Sequence, residues 1–161
     1  MKSNRKIILS AMIASLTFIF TIVVKIPSPV GGYLNLGDAV VLLGGALLSP
    51  VYAFLAVAIG SAVADLSSGF LIYAPATFVI KGLMALCVSL IVKHSKTEFL
   101  KILSGVLAEF LMVGGYYIFE GFLYGFGVSM INIFPNVLQG LVGLIIGLIL
   151  IRVFQKSKLI K

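Results

Sequence analysis

Long apolar runs separated by short polar breaks organise this chain. The runs cover about residues 7–24, 38–66, 73–92, 102–123 and 131–152, and most charged residues lie in or beside the breaks. A helix rises 1.5 Å per residue, and crossing roughly 30 Å of hydrocarbon takes about 20 apolar residues. The second run is too long for one crossing, at more than about 40 Å. Ser49-Pro50 divides it, because proline removes a helical hydrogen bond. The pattern predicts six helices, at about 7–24, 36–49, 51–67, 73–92, 102–123 and 131–152, the second of them short. The expected fold is all-α: an integral membrane bundle of six transmembrane helices forming one membrane-embedded domain over residues 1–161.

Composition agrees with a lipid-solvated bundle. Of 161 residues, 61% are hydrophobic and 11% charged, too little charge to cover a water-soluble surface. The net charge of +7 raises the question of an acidic partner, but its distribution answers it. Ten of the twelve basic residues fall in three clusters: Lys2, Arg5 and Lys6; Lys93, Lys96 and Lys101; Arg152, Lys156, Lys158 and Lys161. With a hairpin at Ser49-Pro50, all three clusters lie on one side, as the positive-inside rule requires. A single helix over 38–66 would put the middle cluster on the other side. Both termini are therefore expected in the cytoplasm. The first run is longer than a secretory h-region and has no clear cleavage site, so it reads as a retained helix.

Ionisable groups in hydrocarbon are costly and call for a partner or a task. The predicted directions put Lys81 roughly 12 Å below the outer end of its helix. Asp65 and Glu120 fall near the outer surface. Tyr73, Thr77 and Lys81 share a helix face, as do Ser61 and Asp65, Tyr116 and Glu120, and Asn132, Asn136 and Gln139. Four helices thus carry polar stripes at one depth. The loop 25–38, with Pro27, Pro29, Gly31 and Gly32, faces the same side and brings Tyr33, Asn35 and Asp38. The expected substrate-binding residues are Asn35, Asp38, Asp65, Tyr73, Lys81, Tyr116, Glu120, Asn136 and Gln139. A ligand-free network is the rival reading, with Lys81 paired to Asp65 or Glu120 and the amides bridging helices. Glu109, about eight residues from Lys101, is expected in the inner half, contacting a partner or a neighbouring helix.

The one cysteine, Cys87, excludes an intrachain disulfide, and the one histidine, His94, reads as a solvated loop residue. No metal site or cofactor is expected. Nucleotide-binding and catalytic signatures are missing, so the chain is not expected to be an enzyme or to power uptake itself. Small residues recur at four-residue spacing, among them Ser10/Ala14, Ala11/Ser15, Ala56/Gly60 and Gly143/Gly147. Such spacing permits close helix contact within the bundle or with an external helix.

Three stretches carry a family likeness: GYLNLGDAVVLLGGALLSP at 32–50, GSAVADLSSGF at 60–70 and YAPATFVIKGLMAL at 73–86. Together they resemble the substrate-binding S components of energy-coupling factor (ECF) type ABC vitamin transporters, chiefly those for hydroxymethylpyrimidine or pyridoxine, with riboflavin also represented. The resemblance implies a protein of the bacterial plasma membrane. It implies capture of a vitamin from outside, docking on a transmembrane coupling subunit with two cytoplasmic ATPases, toppling, and release inside. It implies a gating role for the first outer loop. It also implies docking through small residues of the first helix, here Ser10, Ala11, Ala14 and Ser15, where Ser replaces one Ala in either register. A stand-alone ion-coupled secondary transporter using Lys81, Asp65 and Glu120 is the alternative. A membrane enzyme is the weaker one.

Overall fold

The computed structural model describes residues 3–94 and 97–156. Lys2, Lys96, Lys158 and Lys161, counted above in the basic clusters, lie outside the described residues. The described chain is mostly helical, with α1 at Ser3–Val23, α2 at Gly37–Leu47, α3 at Pro50–Ser67, α4 at Ala74–His94, α5 at Glu98–Tyr124, α6 at Phe126–Ser129 and α7 at Ile133–Lys156. A 3₁₀ turn, Met130–Asn132, leads into α7. Between α1 and α2 the chain makes a minimal antiparallel ladder, β1 at Ile26–Pro27 and β2 at Tyr33–Leu34. The sequence pattern predicts neither this ladder nor α6.

Five helices, α1, α3, α4, α5 and the α6–α7 unit, are long and apolar enough to cross a membrane. Their outward faces carry large apolar side chains such as Ile8, Val51, Val79, Phe110 and Ile145, as lipid contact requires. The sixth helix differs. At 11 residues α2 is about 16 Å long, half a crossing. Every residue from Gly37 to Gly45 is buried. It occupies the centre of the bundle, against α7, α4 and α1. Glycines allow the close approach: a Cβ on Gly44 would meet Ile13 and Val57, and one on Gly45 would meet Val88.

The Ser49-Pro50 break falls as expected. Ser49 is extended, and Pro50 opens α3 at a position whose N–H has no helical acceptor. Helix ends at the charged side run further than hydropathy indicates. Thr97 caps α5 by accepting a hydrogen bond from Leu100 N at 3.4 Å. Glu98 meets Lys101 at 2.7 Å and Arg152 at 3.4 Å, and Lys101 also reaches Gln155 at 2.8 Å. Lys101, read in sequence as part of a short polar break, and Arg152, at the expected end of the last helix, are thus paired side chains on helix ends that project beyond the apolar core. At the opposite end Gly125 closes α5 with φ +92°, a conformation that side-chain-bearing residues rarely adopt.

Candidate substrate-binding site

Because α2 starts inside the bundle, loop 25–36 must descend to reach it. The loop fills the half of the central space away from the basic helix ends, and α2 the other half. Around the junction, α3, α4, α5 and α7 present polar residues at helical spacing, and these converge.

The deepest part is charged. Lys81 forms an ion pair with Asp38, the second residue of α2, and both side chains are buried. Gln139 donates to the other oxygen of Asp38 at 2.6 Å and accepts from the backbone N–H of Asn35 at 2.8 Å. Asn35 in turn accepts from Gly37 N–H at 2.9 Å, covering an orphan donor at the start of α2. The Lys81 ammonium lies 5.5 Å from the centre of the Tyr116 ring, within cation–π range. The sequence reading paired Lys81 with Asp65 or Glu120. That pairing is corrected: α2 delivers Asp38 to the depth of Lys81, whereas Asp65 and Glu120 sit nearer the opposite end from the basic clusters and take other partners.

Glu120 accepts from Tyr73 at 3.3 Å and from Asn132 at 2.9 Å. Asn132 also accepts from Ser28 Oγ at 2.6 Å and from Val30 N at 3.3 Å, tying the loop to the entry of α7. On the other side Tyr33 donates to Asp65 at 2.7 Å, and Lys25 donates to Ser68 at 3.1 Å. Burial, reinforced by the Asp65 carboxylate, pushes the Tyr33 phenol well above its usual value, so it remains a donor. Aromatic contacts continue from Tyr33 to Phe70 at 4.7 Å, Phe70 to Tyr73 at 6.2 Å and Tyr73 to Phe119 at 5.3 Å. Gly32, at φ +71°, passes so close to Tyr73 that a Cβ would lie 3.1 Å from the ring.

A small cavity remains between these groups, with about 30 Å³ open at its centre. That is room for a water or two. Asn35, Asp65, Tyr73, Lys81, Tyr116, Glu120, Asn136 and Gln139 line it. Of the nine residues expected from sequence, only Asp38 is set back, behind Lys81. Thr21, Ser28, Tyr33, Ser61 and Thr77 also line the cavity. The stripe spacing of Ser61 and Thr77 already pointed to them. Thr21 had a weaker signal, one helical turn beyond Thr17.

Most polar groups around the cavity are satisfied within the protein. Thr77 and Tyr116 bond each other at 3.0 Å, and Asp38 and Glu120 each use both oxygens. Two buried atoms are not satisfied: Ser61 Oγ and Asp65 Oδ2, one turn apart on α3. An unsatisfied buried polar atom costs about 1–3 kcal/mol. Both residues line the cavity. Among the described residues no cluster of His, Cys, Asp and Glu suits a metal ion.

On α1 the structure separates the two small-residue registers. Ala14 is packed inside, and its carbonyl lies where a Cβ on Gly60 of α3 would fall. Ser10 is half-buried and donates to Lys6 O at 2.8 Å. Ala11 and Ser15 are exposed on the lipid-facing side.

Residues 1–156 match the family model of the ECF-type riboflavin transporter, S component. The chain is 30% identical over 168 residues to the thiamine precursor transporter HmpT of Lactococcus lactis subsp. cremoris (strain MG1363), across 97% of this chain and 91% of that protein. It is 37% identical over 129 residues to an uncharacterized protein of Pyrococcus woesei, across 79% of this chain and 86% of that protein.

Proposed function

This chain belongs to the family of ECF-type transporter S components, and from that premise we propose that it captures a single-ring nitrogen heterocycle of the thiamine-precursor type from the outer side of the membrane. As a member it is a multi-pass cell-membrane protein that serves vitamin or vitamin-precursor transport and is not an enzyme. The finer assignment rests on one observation. A small cavity, walled by Tyr33, Tyr73 and Tyr116, is lined by Ser61 and Asp65, whose Oγ and Oδ2 are buried without a hydrogen-bond partner among the described residues. A planar ring with an amino group fits this demand: its faces stack on tyrosines, and its N–H groups donate to the carboxylate and hydroxyl. The Asn136 amide faces the same space from α7.

Size favours a small ligand. The cavity is small, and admitting one ring requires less rearrangement than admitting the three fused rings of riboflavin. Hydroxymethylpyrimidine therefore ranks above riboflavin, and pyridoxine, also one ring, stands second. The loop 25–36 closes the site on the outer side, and its ties to Asn132, Asp65 and Ser68 would have to break for entry.

Six membrane segments, with α2 a buried half-crossing, and cytoplasmic termini complete this reading. Delivery would proceed by docking of exposed Ala11 and Ser15 of α1 on a coupling subunit that carries two ATPases. Calorimetric titration of the purified protein with hydroxymethylpyrimidine, pyridoxine and riboflavin tests the assignment. Tight binding of hydroxymethylpyrimidine that weakens in Ser61→Ala supports it. Preference for riboflavin refutes it.

A further inference from the structure

Two features beside the cavity would ordinarily hold an anion: the Lys81 ammonium and the N-terminus of α2. The protein fills both with its own side chains. Asp38 pairs with Lys81 and stands in the first turn of α2, and the Asn35 carbonyl takes the Gly37 N–H at 2.9 Å. The Gln139 amide is engaged by the second Asp38 oxygen. Among the described residues Lys81 is the only basic side chain that lines the cavity. Lys25, at the start of the loop, is exposed and donates to Ser68 at 3.1 Å.

The remaining charges are acidic. Asp65 and Glu120 line the cavity and are buried, and their hydrogen-bond donors are neutral: Tyr33 for Asp65, Tyr73 and Asn132 for Glu120. Counting the Lys81–Asp38 pair, one cation stands against three acids. A fourth acid, Glu109, lies near the middle of α5 rather than in its inner half. It lies on the α5–α7 seam, where a Cβ on Gly140 or Gly143 would come within 3.0–3.3 Å of its carboxyl oxygens, and Asp38 crowds the same Gly143. Glu120 uses both of its oxygens, whereas Asp65 Oδ2 and Ser61 Oγ have no hydrogen-bond partner among the described residues.

We infer that the site sorts one-ring ligands by charge, taking a cationic nitrogen heterocycle ahead of a neutral one and rejecting an anionic one, with Asp65 as the residue that sets the preference. The inference rests on the reading of this cavity as the ligand site, but not on which vitamin precursor it takes. A cationic ring brings N–H donors and positive charge to the carboxylate that has an unpartnered oxygen, and forms a charge-assisted hydrogen bond. A ring bearing a phosphate or carboxylate has two courses. It displaces Asp38 from Lys81 and leaves that carboxylate unpaired in the core, or it meets Asp65 and Glu120 with no free cation to offset them. At an effective dielectric constant of about 20, one unit charge at contact distance is worth at least about a hundredfold in affinity. The same rule separates a heterocyclic alcohol, which is admitted, from its phosphate monoester, which is not.

Benzamidine, benzamide and benzoate share one shape and differ in charge, from positive through neutral to negative, so they test the inference without assuming a vitamin. Their affinities for the purified protein in uncharged detergent, titrated by saturation-transfer NMR, should fall in that order. Benzamidine should bind at least about a hundredfold more tightly than benzoate. Asp65→Asn keeps the shape and removes the charge, and should shrink that ratio at least about tenfold. Glu120→Gln should shrink it by less, and it reads the same ratio if Asp65→Asn does not fold. Hydroxymethylpyrimidine, pyridoxine and riboflavin are then each compared with their phosphate monoesters by calorimetry. Whichever parent binds, its ester should bind at least about a hundredfold more weakly, and Asp65→Asn should narrow the gap. Absent binding of benzamidine, or equal affinity for benzamidine and benzoate, would overturn the inference. So would ratios that both variants leave unchanged, since exclusion would then be a matter of size. Vitamins that fail to bind while the charge order holds would sink the thiamine-precursor reading alone.

Discussion

Lys81 of α4 and Asp38 of α2 form an ion pair from which solvent is almost wholly excluded, with side-chain exposures of 3% and 0%. The pair fastens the start of a helix too short to cross the membrane to one that does cross. Removing one member leaves the other charged and unpartnered in the core, which costs about 3–5 kcal/mol. Lys81→Ala is therefore expected to lower the thermal midpoint in detergent sharply. Adding Asp38→Asn should restore most of the loss. A double variant no more stable than Lys81→Ala would show that the ammonium acts through other contacts.

Among the described residues Ser61 Oγ has no hydrogen-bond partner, so its loss should be felt by the ligand more than by the fold. Ser61→Ala should leave the melting temperature unchanged or raise it by a few degrees, because it removes an unsatisfied buried hydroxyl. It should weaken hydroxymethylpyrimidine binding by roughly tenfold, the worth of one hydrogen bond in a dry site. Unchanged affinity by calorimetry would remove Ser61 from the ligand-contacting set.

Asp65 faces two ways. One oxygen accepts from Tyr33 of the loop at 2.7 Å, and the other is free toward the cavity. Tyr33→Phe keeps the ring against Phe70 and deletes only the tie to the carboxylate. Ligand dissociation followed by stopped flow should be about fivefold faster, with a smaller change in the association rate. An unaltered dissociation rate would mean that Ser28, Val30 and Lys25 hold the loop by themselves.

The two registers on α1 should respond differently to bulk. Ala11 is exposed, so Ala11→Leu should leave ligand binding intact and depress uptake in cells that carry the coupling module. Ala14 packs on α3, where its carbonyl abuts Gly60, so Ala14→Leu should lower stability and binding together. Equal uptake by Ala11→Leu and wild type would separate this face from docking.

Much of the architecture was legible from runs and breaks. Ser49-Pro50 marked the turn, and the four stripes named the helices that line the cavity. Element ends were less legible, because Lys101 read as part of a short polar break until its pairing with Glu98 and Gln155 is seen. The partner of Lys81 was illegible for a different reason. Spacing along a helix shows which residues share a face, but it does not say which other helix meets that face, or at what depth.

Alone, then, the order of residues determined that this is a lipid-solvated helical bundle with its polar side chains gathered toward one end, because hydropathy and helical periodicity are local properties of the chain. The tertiary structure decided that α2 stops halfway and carries Asp38 to Lys81, that Ser61 and Asp65 keep free valences, and that Glu109 stands apart on the α5–α7 seam. Those outcomes depend on helix rotation, depth and glycine-permitted approach, all of which are relations between segments distant in sequence.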